Sequence, residues 1–318
     1  MKPAVFCAFV LSAGAFIACT AGPAAARLSI DAIPGNLPKT VAPVLYDINI
    51  VPDITTMKIH GKETVTIDVI TPTNRIVVNA LQTIVASATL DGRPATSVKI
   101  GAQTLAMTFP RVASRGMHKL AIAYTATIQS SAQGLFVQKY TDQKTGKPTQ
   151  LLGTQFESTD GRRMFPNWDE PGFRAKFHLT ATVPKAWSAV SNMPIERSVD
   201  AGSGAKRVTF GTSPSMPTYL LVFCAGDFEK LSGSAGATKI NVYGTRGTGP
   251  ELTYTLASLE RLVPYFEKYY GIKFPLPKLD LISIPQFFGG AMENWGGMTF
   301  TEDAVIYNPK LQQAAHKR

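Results

Sequence analysis

Cysteine and histidine, the residues that most often build disulfides, nucleophiles and zinc sites, are both scarce in this chain. Its 318 residues include three cysteines and four histidines. Cys7 and Cys19 lie near the N-terminus, so Cys224 is the one cysteine of the remaining chain and has no partner there for a disulfide. No two histidines form H-E-x-x-H, and no cluster supplies the three or four ligands that zinc requires. Nucleophile-elbow, P-loop and dinucleotide-binding motifs are also missing, so the residues alone show no complete catalytic set.

The chain also lacks a long hydrophobic run and a strong block of one charge. The apolar run from Val5 to Ile17 is too short to span a membrane, and no other segment is a candidate. The net charge of +10 is scattered, and its densest stretch, Lys139 to Lys147, is a polar loop sequence with Gly and Pro. Scattered charge is typical of a solvated surface. We therefore expect no transmembrane span and no nucleic-acid partner.

The N-terminal segment has the pattern of a signal peptide. Lys2 precedes the apolar run, and Ala24 to Ala26 form a small-residue cleavage site. These features predict a signal peptide over residues 1–26 and export to the periplasm or the extracellular space. An alternative stays open, because Phe16-Ile17-Ala18 before Cys19 resembles an imperfect lipidation box, which would give a lipid anchor at Cys19.

From Val44 to about Leu231 the sequence alternates between apolar and polar residues. In one such run Val65, Ile67 and Val69 alternate with polar side chains. Alternation of this kind predicts strands with one buried face, and Asp91-Gly92 between two runs predicts a hairpin. About ten short strands without a convincing helix indicate an antiparallel all-β domain.

The pattern changes after Ser232 to Gly236, a small-residue stretch that reads as a flexible junction. Lys239 to Tyr243 is a predicted strand, and Pro250 to Tyr270 has the apolar spacing of an amphipathic helix. Leu279 to Ile284 and Gly297 to Tyr307 are further predicted strands. Strands and helix now alternate, which predicts the start of a mixed α/β domain that looks incomplete with one helix.

Two segments have an unusual composition. Gln155 to Pro171 interleaves charges, aromatics and prolines, and a surface loop held by Arg–carboxylate pairs would explain it. Gly289 to Gly297 (GGAMENWGG) is rich in glycine beside a strand, where a peptide could add along the sheet edge. A tight glycine turn with an exposed glutamate explains the same residues without any function.

Together the two segments resemble the aminopeptidase N-type zinc metallopeptidases. Gly290 to Asn294 matches the G-A-M-E-N exopeptidase motif of that family at every position, and Phe165 to Pro171 resembles its F-P-x-x-D-E-P segment. The flanks Pro275 to Asp280 and Trp295-Gly296 also match. Two motifs in order are far more specific than five residues alone, and the resemblance covers essentially all of the chain after the signal peptide.

The resemblance implies an N-terminal β-sandwich-like saddle domain over residues 27–231. The start of a thermolysin-like catalytic domain follows over residues 239–318. In that family a zinc motif, H-E-x-x-H, follows G-A-M-E-N by a few tens of residues. Its zinc ligands, its general base and a catalytic tyrosine have no counterpart in these 318 residues. The expectation is therefore a truncated chain that binds no zinc and hydrolyses nothing alone, whereas the full-length enzyme would hold zinc.

The resemblance also assigns substrate-binding residues to this chain. Glu293 is the family's amine-binding glutamate, and Glu157, eight residues before the F-P-x-x-D-E-P segment, holds the position of a second amine contact. Gly290 and Ala291 would offer backbone hydrogen bonds to an extended peptide, and Met292 would line the first side-chain site. The partner is thus a peptide with a free N-terminus. Four other charged residues are expected to form structural pairs at the domain junction: Arg162, Arg163, Asp169 and Glu170.

Two functions from different classes follow from these observations. The first is a zinc-dependent aminopeptidase, to which this chain contributes peptide recognition. The second is a non-catalytic secreted module that binds peptides or proteins through its β domain. An unfinished sheet with unpaired edges argues against the second, because exposed edges favour aggregation.

Overall fold

The computed structural model describes residues 35–287 and 290–307, and strands dominate it. The first region contains fifteen strands: β1 (Val41–Asp53), β2 (Lys58–Val69), β3 (Thr73–Asn79), β4 (Ile84–Leu90), β5 (Arg93–Pro94), β6 (Ser97–Ile100), β7 (Thr104–Ala113), β8 (Gly116–Thr127), β9 (Gly134–Thr141), β10 (Pro148–Gln155), β11 (Lys176–Pro184), β12 (Ser188–Ser191), β13 (Ile195–Gly202), β14 (Ala205–Phe210) and β15 (Phe223–Gly226). The second region mixes strands and helices: β16 (Phe228–Ala235), β17 (Thr238–Thr245), α1 (Thr253–Tyr270), β18 (Lys278–Ile284), β19 (Ala291–Met292), β20 (Gly297–Thr301) and α2 (Glu302–Val305). Three 3₁₀ turns accompany them: Gly161–Arg163, Thr218–Leu220 and Gly249–Leu252.

The first region forms three sheets. The largest has the order β13-β14-β11-β1-β2-β8-β4-β5, and the smaller ones have the orders β12-β15-β10-β9 and β3-β7-β6. The alternation in β2 is real, since Val65, Ile67 and Val69 face the core. Asp91 and Gly92 both have positive φ at the turn between β4 and β5, so the predicted hairpin is confirmed.

The largest sheet departs from the expected antiparallel pairing at one place. Strands β1 and β11 pair in parallel, from Leu45 opposite Lys176 to Ile50 opposite Ala181. The β-rich, mainly antiparallel fold is as expected, and this parallel pair is the one exception among the strand pairs of the described first region. Apolar–polar alternation looks the same in both directions when one face of a strand is buried, so the sequence pattern does not distinguish them.

The second region is a five-stranded sheet with the order β16-β17-β18-β20-β19. Strands β17, β18 and β20 run parallel, as expected for a mixed α/β unit. Helix α1 buries Leu259 and Val263 against this sheet and ends at Gly271, which has a left-handed φ of 67°. The last predicted strand, Gly297 to Tyr307, is shorter in the structure, because β20 ends at Thr301 and helix α2 begins at Glu302.

The stretch from Ser232 to Gly236 is part of a hairpin and not a flexible junction. Ser232 to Ala235 belong to β16, which pairs with β17 along its length, and the expected domain boundary at Leu231 falls inside this strand. Small residues serve packing here, because a Cβ on Gly233 would collide with the Glu260 carboxylate and approach Leu256 of α1. A helix can therefore lie close against the strand.

The two regions share a core. Ile282 and Ile284 of β18, with Phe287 and Met292, are buried in the same hydrophobic cluster as the first three sheets. The segment that carries Glu293 is thus placed directly against the β domain. Within the described residues, no helix combines the length and apolarity needed to cross a membrane.

Candidate functional site

The Gly290 to Glu293 segment forms the edge of the five-stranded sheet. In β19, Ala291 pairs with Phe300 and Met292 with Thr299, and the Thr301 amide donates to the Gly290 carbonyl at 2.8 Å. Met292 is buried, whereas the side chains of Ala291 and Glu293 are exposed. This alternation is that of a strand, so Glu293 presents its carboxylate to solvent at the strand's end.

A tight turn follows Glu293 and is held by side chains from elsewhere in the chain. The Asn192 side-chain amide donates to the Trp295 carbonyl at 2.9 Å, and the Lys278 ammonium donates to the Gly296 carbonyl at 2.7 Å. Gly296 has a φ of 73°, and a Cβ there would overlap the Asn192 carbonyl oxygen. The turn therefore requires glycine for two independent reasons.

Glu157 reaches the same place from the end of β10. Two residues before it, the Gln155 amide nitrogen lies 3.6 Å from the Met292 sulfur, and the intervening Phe156 is buried. The Glu157–Ser158 peptide bond is cis. The strand end thus brings Glu157 beside the Gly290 to Glu293 segment, although the two are far apart in sequence.

The pKa of the Tyr219 hydroxyl responds to the charges of both Glu157 and Glu293. Burial raises the pKa of its hydroxyl, and the negative charges of Glu293 and Glu157 raise it further, while Arg174 acts in the opposite direction. Both carboxylates therefore lie within electrostatic range of this phenol. Tyr219 itself sits on the Thr218–Leu220 turn, where the Leu220 carbonyl accepts a hydrogen bond from Asn192.

Phe165 to Asp169 lie buried in the β domain, so this part of the Gln155 to Pro171 segment is not a surface loop, although Glu157 and Pro171 are exposed. Phe165, Asn167, Trp168 and Asp169 are all at most 3% exposed. Asn167 forms a two-way backbone bridge to Asn79, and the Trp168 amide donates to the Tyr46 hydroxyl at 3.1 Å. Phe165 and Trp168 bury large apolar areas, and such burial is typical of a hydrophobic core rather than of a surface loop.

The expected ion pairs are present but lie within the β domain rather than at its junction. Arg162 binds Asp169 at 2.9 Å, and Arg163 binds Asp160 at 2.6 Å. The Glu170 carboxylate accepts the amides of Asn36 and Leu37 and pairs with Lys39 at 3.3 Å. These pairs connect the buried segment to the N-terminal sheets. They also give each charge a partner of opposite sign, without which burial of the charge would be costly.

Four residues of the site had not been assigned a role from the sequence: Gln155, Asn192, Tyr219 and Lys278. Lys278 lies in the flank that resembles the metallopeptidases, which was the available signal. Gln155 begins the first segment of unusual composition, whereas Asn192 and Tyr219 stand in ordinary strand and turn sequence that nothing local distinguishes. Their roles depend on contacts between distant parts of the chain.

The described residues do not fit a zinc site. Among residues 35–287 and 290–307, no group of three or more His, Cys, Asp and Glu side chains lies close enough to hold a metal ion. His118 pairs with Asp91 and His178 with Asp47, each as a two-residue contact at the surface. Zinc needs three protein ligands at least.

An apolar cavity of about 650 Å³ adjoins the Glu293 turn. Phe266 and Tyr270 of α1 form one wall, and Trp295 and Met298 form another, with Glu293 at the margin. The described structure therefore places the exposed carboxylate between the edge strand β19 and an apolar cavity.

Comparison with known proteins identifies the class to which this fold and site belong. Residues 42–220 match the peptidase M1 N-terminal domain, and residues 254–318 match the peptidase family M1 domain. The chain belongs to the peptidase M1 family.

Several similar proteins are named aminopeptidases. An aminopeptidase N from Acetobacter pasteurianus is 43% identical over 278 residues, which cover 86% of this chain and 78% of that protein. Rice aminopeptidase M1-B is 34% identical over 288 residues, covering 89% of this chain and 33% of the relative. Candida albicans aminopeptidase 2 is 35% identical over 274 residues, which cover 85% of this chain and 29% of that protein. The chain thus spans about a third of the length of the rice and Candida relatives.

Proposed function

We propose that this chain provides the peptide-recognition part of a zinc-dependent aminopeptidase, an enzyme that removes N-terminal residues from peptides. The observation that carries the proposal is the Glu293 carboxylate, which is exposed at the end of edge strand β19 and adjoins an apolar cavity. The relatives named aminopeptidases support the reaction class.

The two carboxylates suit the free end of a peptide. An α-amino group has a pKa of about 7.7–8.0, so it is largely an ammonium ion at neutral pH. A carboxylate accepts hydrogen bonds from it with charge assistance, and two carboxylates match its several donors. An internal peptide bond brings no ammonium and would leave both carboxylates without a partner. The pair therefore selects for chain ends.

The edge strand provides a place for the rest of the peptide. Strand β19 is last in its sheet, with β20 on one side only. An extended peptide can add to such an edge through backbone hydrogen bonds, for which Ala291 would be used, since the Gly290 carbonyl already accepts the Thr301 amide. Met292, which Gln155 contacts, would line the site of the first side chain.

Zinc belongs to this proposal through the family and not through the described residues. When bound, zinc would supply the activated water that attacks the first peptide bond. All 318 residues lack an H-E-x-x-H pair, and the described residues offer no ligand cluster. We infer that this chain alone binds no catalytic zinc and hydrolyses no peptide. Metal analysis of the purified chain should give far less than one zinc per molecule, and a value near one would contradict this inference.

We also propose that the protein is exported. Support comes from the sequence of residues 1–26, which lie outside the described residues. N-terminal sequencing of the protein from its source tests this, with a mature start at Arg27 expected. A start at Cys19 carrying acyl groups would favour the lipid anchor, and an intact Met1 would contradict export.

Peptide binding tests the recognition role directly. The tripeptide amide Ala-Ala-Phe-NH₂ and its N-acetyl form differ only in the ammonium, and NMR titration at pH 7 gives both affinities for this chain. We expect the free amine to bind at least about 10-fold more tightly than the acetylated form, because a charge-assisted hydrogen bond contributes about 1.5–3 kcal/mol. Glu293→Gln should abolish this preference, whereas Glu196→Gln at an exposed position should retain it. Equal affinity of the wild type for both peptides would refute the proposal.

A further inference from the structure

Lys278 is a buried lysine whose three donors are all used. It begins β18 and is 6% exposed, although lysine is almost never fully buried unless it is paired. Its ammonium donates to the Ser191 carbonyl at 2.8 Å, the Asp280 carboxylate at 2.7 Å and the Gly296 carbonyl at 2.7 Å. An ammonium has three N–H bonds, so this side chain is fully committed to one geometry.

These contacts join three parts of the molecule. Ser191 ends β12 in a sheet of the β domain, Asp280 lies on β18 itself, and Gly296 lies in the turn after Glu293. The neighbouring Asn192 holds the adjacent Trp295 carbonyl and accepts a hydrogen bond from the Val222 amide at 3.0 Å. Two consecutive carbonyls of the turn are thus bound, the Trp295 carbonyl by Asn192 after β12 and the Gly296 carbonyl by Lys278 at the start of β18.

The turn also fits tightly against the backbone that grips it. A Cβ on Gly296 would overlap the Asn192 carbonyl oxygen, and a Cβ on Gly297 would lie 3.3 Å from the Ser191 carbonyl oxygen. The glycines therefore let the turn lie directly on residues 191 and 192. Small displacements of this turn would move Glu293, which immediately precedes it and has an exposed side chain.

The pairing with Asp280 lets a lysine perform this task without disturbing the carboxylates. Asp280 is 1% exposed, and its second oxygen accepts a hydrogen bond from Asn241 at 2.7 Å. The pair is neutral overall, so Lys278 contributes directed N–H donors but little net positive charge. An unpaired cation close to Glu293 would oppose the binding of another cation.

We propose that Lys278 is a positioning residue, which fixes the Asn294 to Gly297 turn and through it the Glu293 carboxylate for binding the peptide ammonium. The proposal rests on the proposed function and adds a residue that touches no substrate. A recognition site must hold its groups to within about 0.5 Å, and such precision comes from supporting hydrogen bonds of this kind.

Hydrogen exchange and peptide binding together test this role in the full chain. In Lys278→Met, we expect amide exchange of residues 291–297 to rise at least 10-fold, while exchange in β2 stays unchanged. The free-amine preference over the N-acetyl tripeptide should fall at least 10-fold. Lys239→Met is the matched control, because Lys239 lies opposite Lys278 on β17 and is exposed. It should change neither measurement.

A second variant separates positioning from ion-pair stability. Asp280→Asn removes the pair's negative charge but leaves the Lys278 donors to Ser191 and Gly296. It should keep the slow exchange of residues 291–297, whereas the preference should fall, because Lys278 then carries an uncompensated positive charge close to Glu293. If Lys278→Met does not fold, Lys278→Gln, which retains one amide donor, takes its place with a smaller effect in the same direction.

The outcomes distinguish this inference from the proposed function. A wild type without free-amine preference refutes both. A wild-type preference that Glu293→Gln abolishes but Lys278→Met retains would overturn the positioning role alone. Exchange that rises by one common factor in all strands of Lys278→Met would also overturn it, because the role would then be general stability.

Discussion

The Gln155 side-chain amide lies 3.6 Å from the Met292 sulfur, across 137 residues of sequence. This contact joins the end of β10 to β19, the edge strand of the second region. Glu157 follows Gln155 by two residues, and Glu293 follows Met292 by one. The two strand ends that precede these carboxylates are therefore in contact, and this contact is a property of the fold.

The first prediction concerns the coupling of the two carboxylates. If both bind one ammonium, Glu157→Gln and Glu293→Gln should each weaken free-amine peptide binding by about 10-fold, and the double variant should weaken it by less than the product. Residues that share a partner show such non-additivity, of about 0.5–3 kcal/mol. NMR titration of the four proteins measures it. Strictly additive losses would show that the carboxylates act on different groups.

The second prediction concerns Gly296 at the turn. Gly296→Ala should destabilise the chain by about 3 kcal/mol or more, from backbone strain and overlap with Asn192 together. Gly92→Ala is the matched control, because Gly92 also has a positive φ of 77° but has no atom within 4 Å of a Cβ. Strain alone should cost about 1–2 kcal/mol there. Urea unfolding measures both, and equal losses would contradict the close contact.

The third prediction concerns Glu63 in the β-domain core. Glu63 is 3% exposed, neither carboxyl oxygen has a hydrogen-bond partner in the described structure, and burial raises its pKa well above the usual range. A carboxyl group whose pKa is higher in the folded than in the unfolded state contributes its full stabilisation at pH values below its unfolded pKa, which is about 4.3 for glutamate. That stability is lost as the pH rises through the folded value. The free energy of unfolding should therefore fall with rising pH above about 4.3, by at most about 1.4 kcal/mol per pH unit.

Glu63→Gln isolates this contribution. The amide cannot ionise, so the variant should lose that part of the pH dependence, and its stability relative to the wild type should improve as the pH rises. Glu196→Gln, at an exposed position, should leave the slope unchanged. Urea unfolding between pH 4 and pH 8 gives the slopes. The interpretation fails if the wild type and Glu63→Gln have the same slope.

The fourth prediction concerns Cys224. The thiol is fully buried, and burial raises its pKa to about 12. Because the thiolate is the reactive form, a folded protein that begins at Arg27, with Cys224 as its one cysteine, should not react with Ellman's reagent at pH 8 on the scale of an hour. Reaction should become fast in denaturing urea, with one thiol per molecule. Rapid reaction of the folded protein would contradict the burial.

Parts of the fold could be predicted because their signals are local. The alternation in β2 and the spacing of Leu259 and Val263 in α1 follow from which side of one element is buried. The Asp91-Gly92 turn depends on backbone preferences of two neighbouring residues. The parallel pairing of β1 with β11 has no such signal, because it depends on how distant strands meet.

Other expectations failed for the same reason. The small residues from Ser232 to Ala235 suggest flexibility when taken alone, but they let α1 pack against β16. The charged and aromatic stretch from Phe165 to Asp169 suggests a surface, but partners such as Asn79 and Tyr46 satisfy its polar groups inside the core. Composition does not show whether a polar group has a buried partner.

The sequence by itself determined the β-rich character, the order of the two regions and the identity of the Gly290 to Asn294 motif, because these depend on residue type and spacing along the chain. Only the tertiary structure decided that the strand ends preceding Glu157 and Glu293 are in contact, and that Lys278 and Asn192 hold the turn after Glu293. Such contacts arise where strand ends from separate sheets converge, and the hydrogen bonds that hold them exist only after those sheets have packed together.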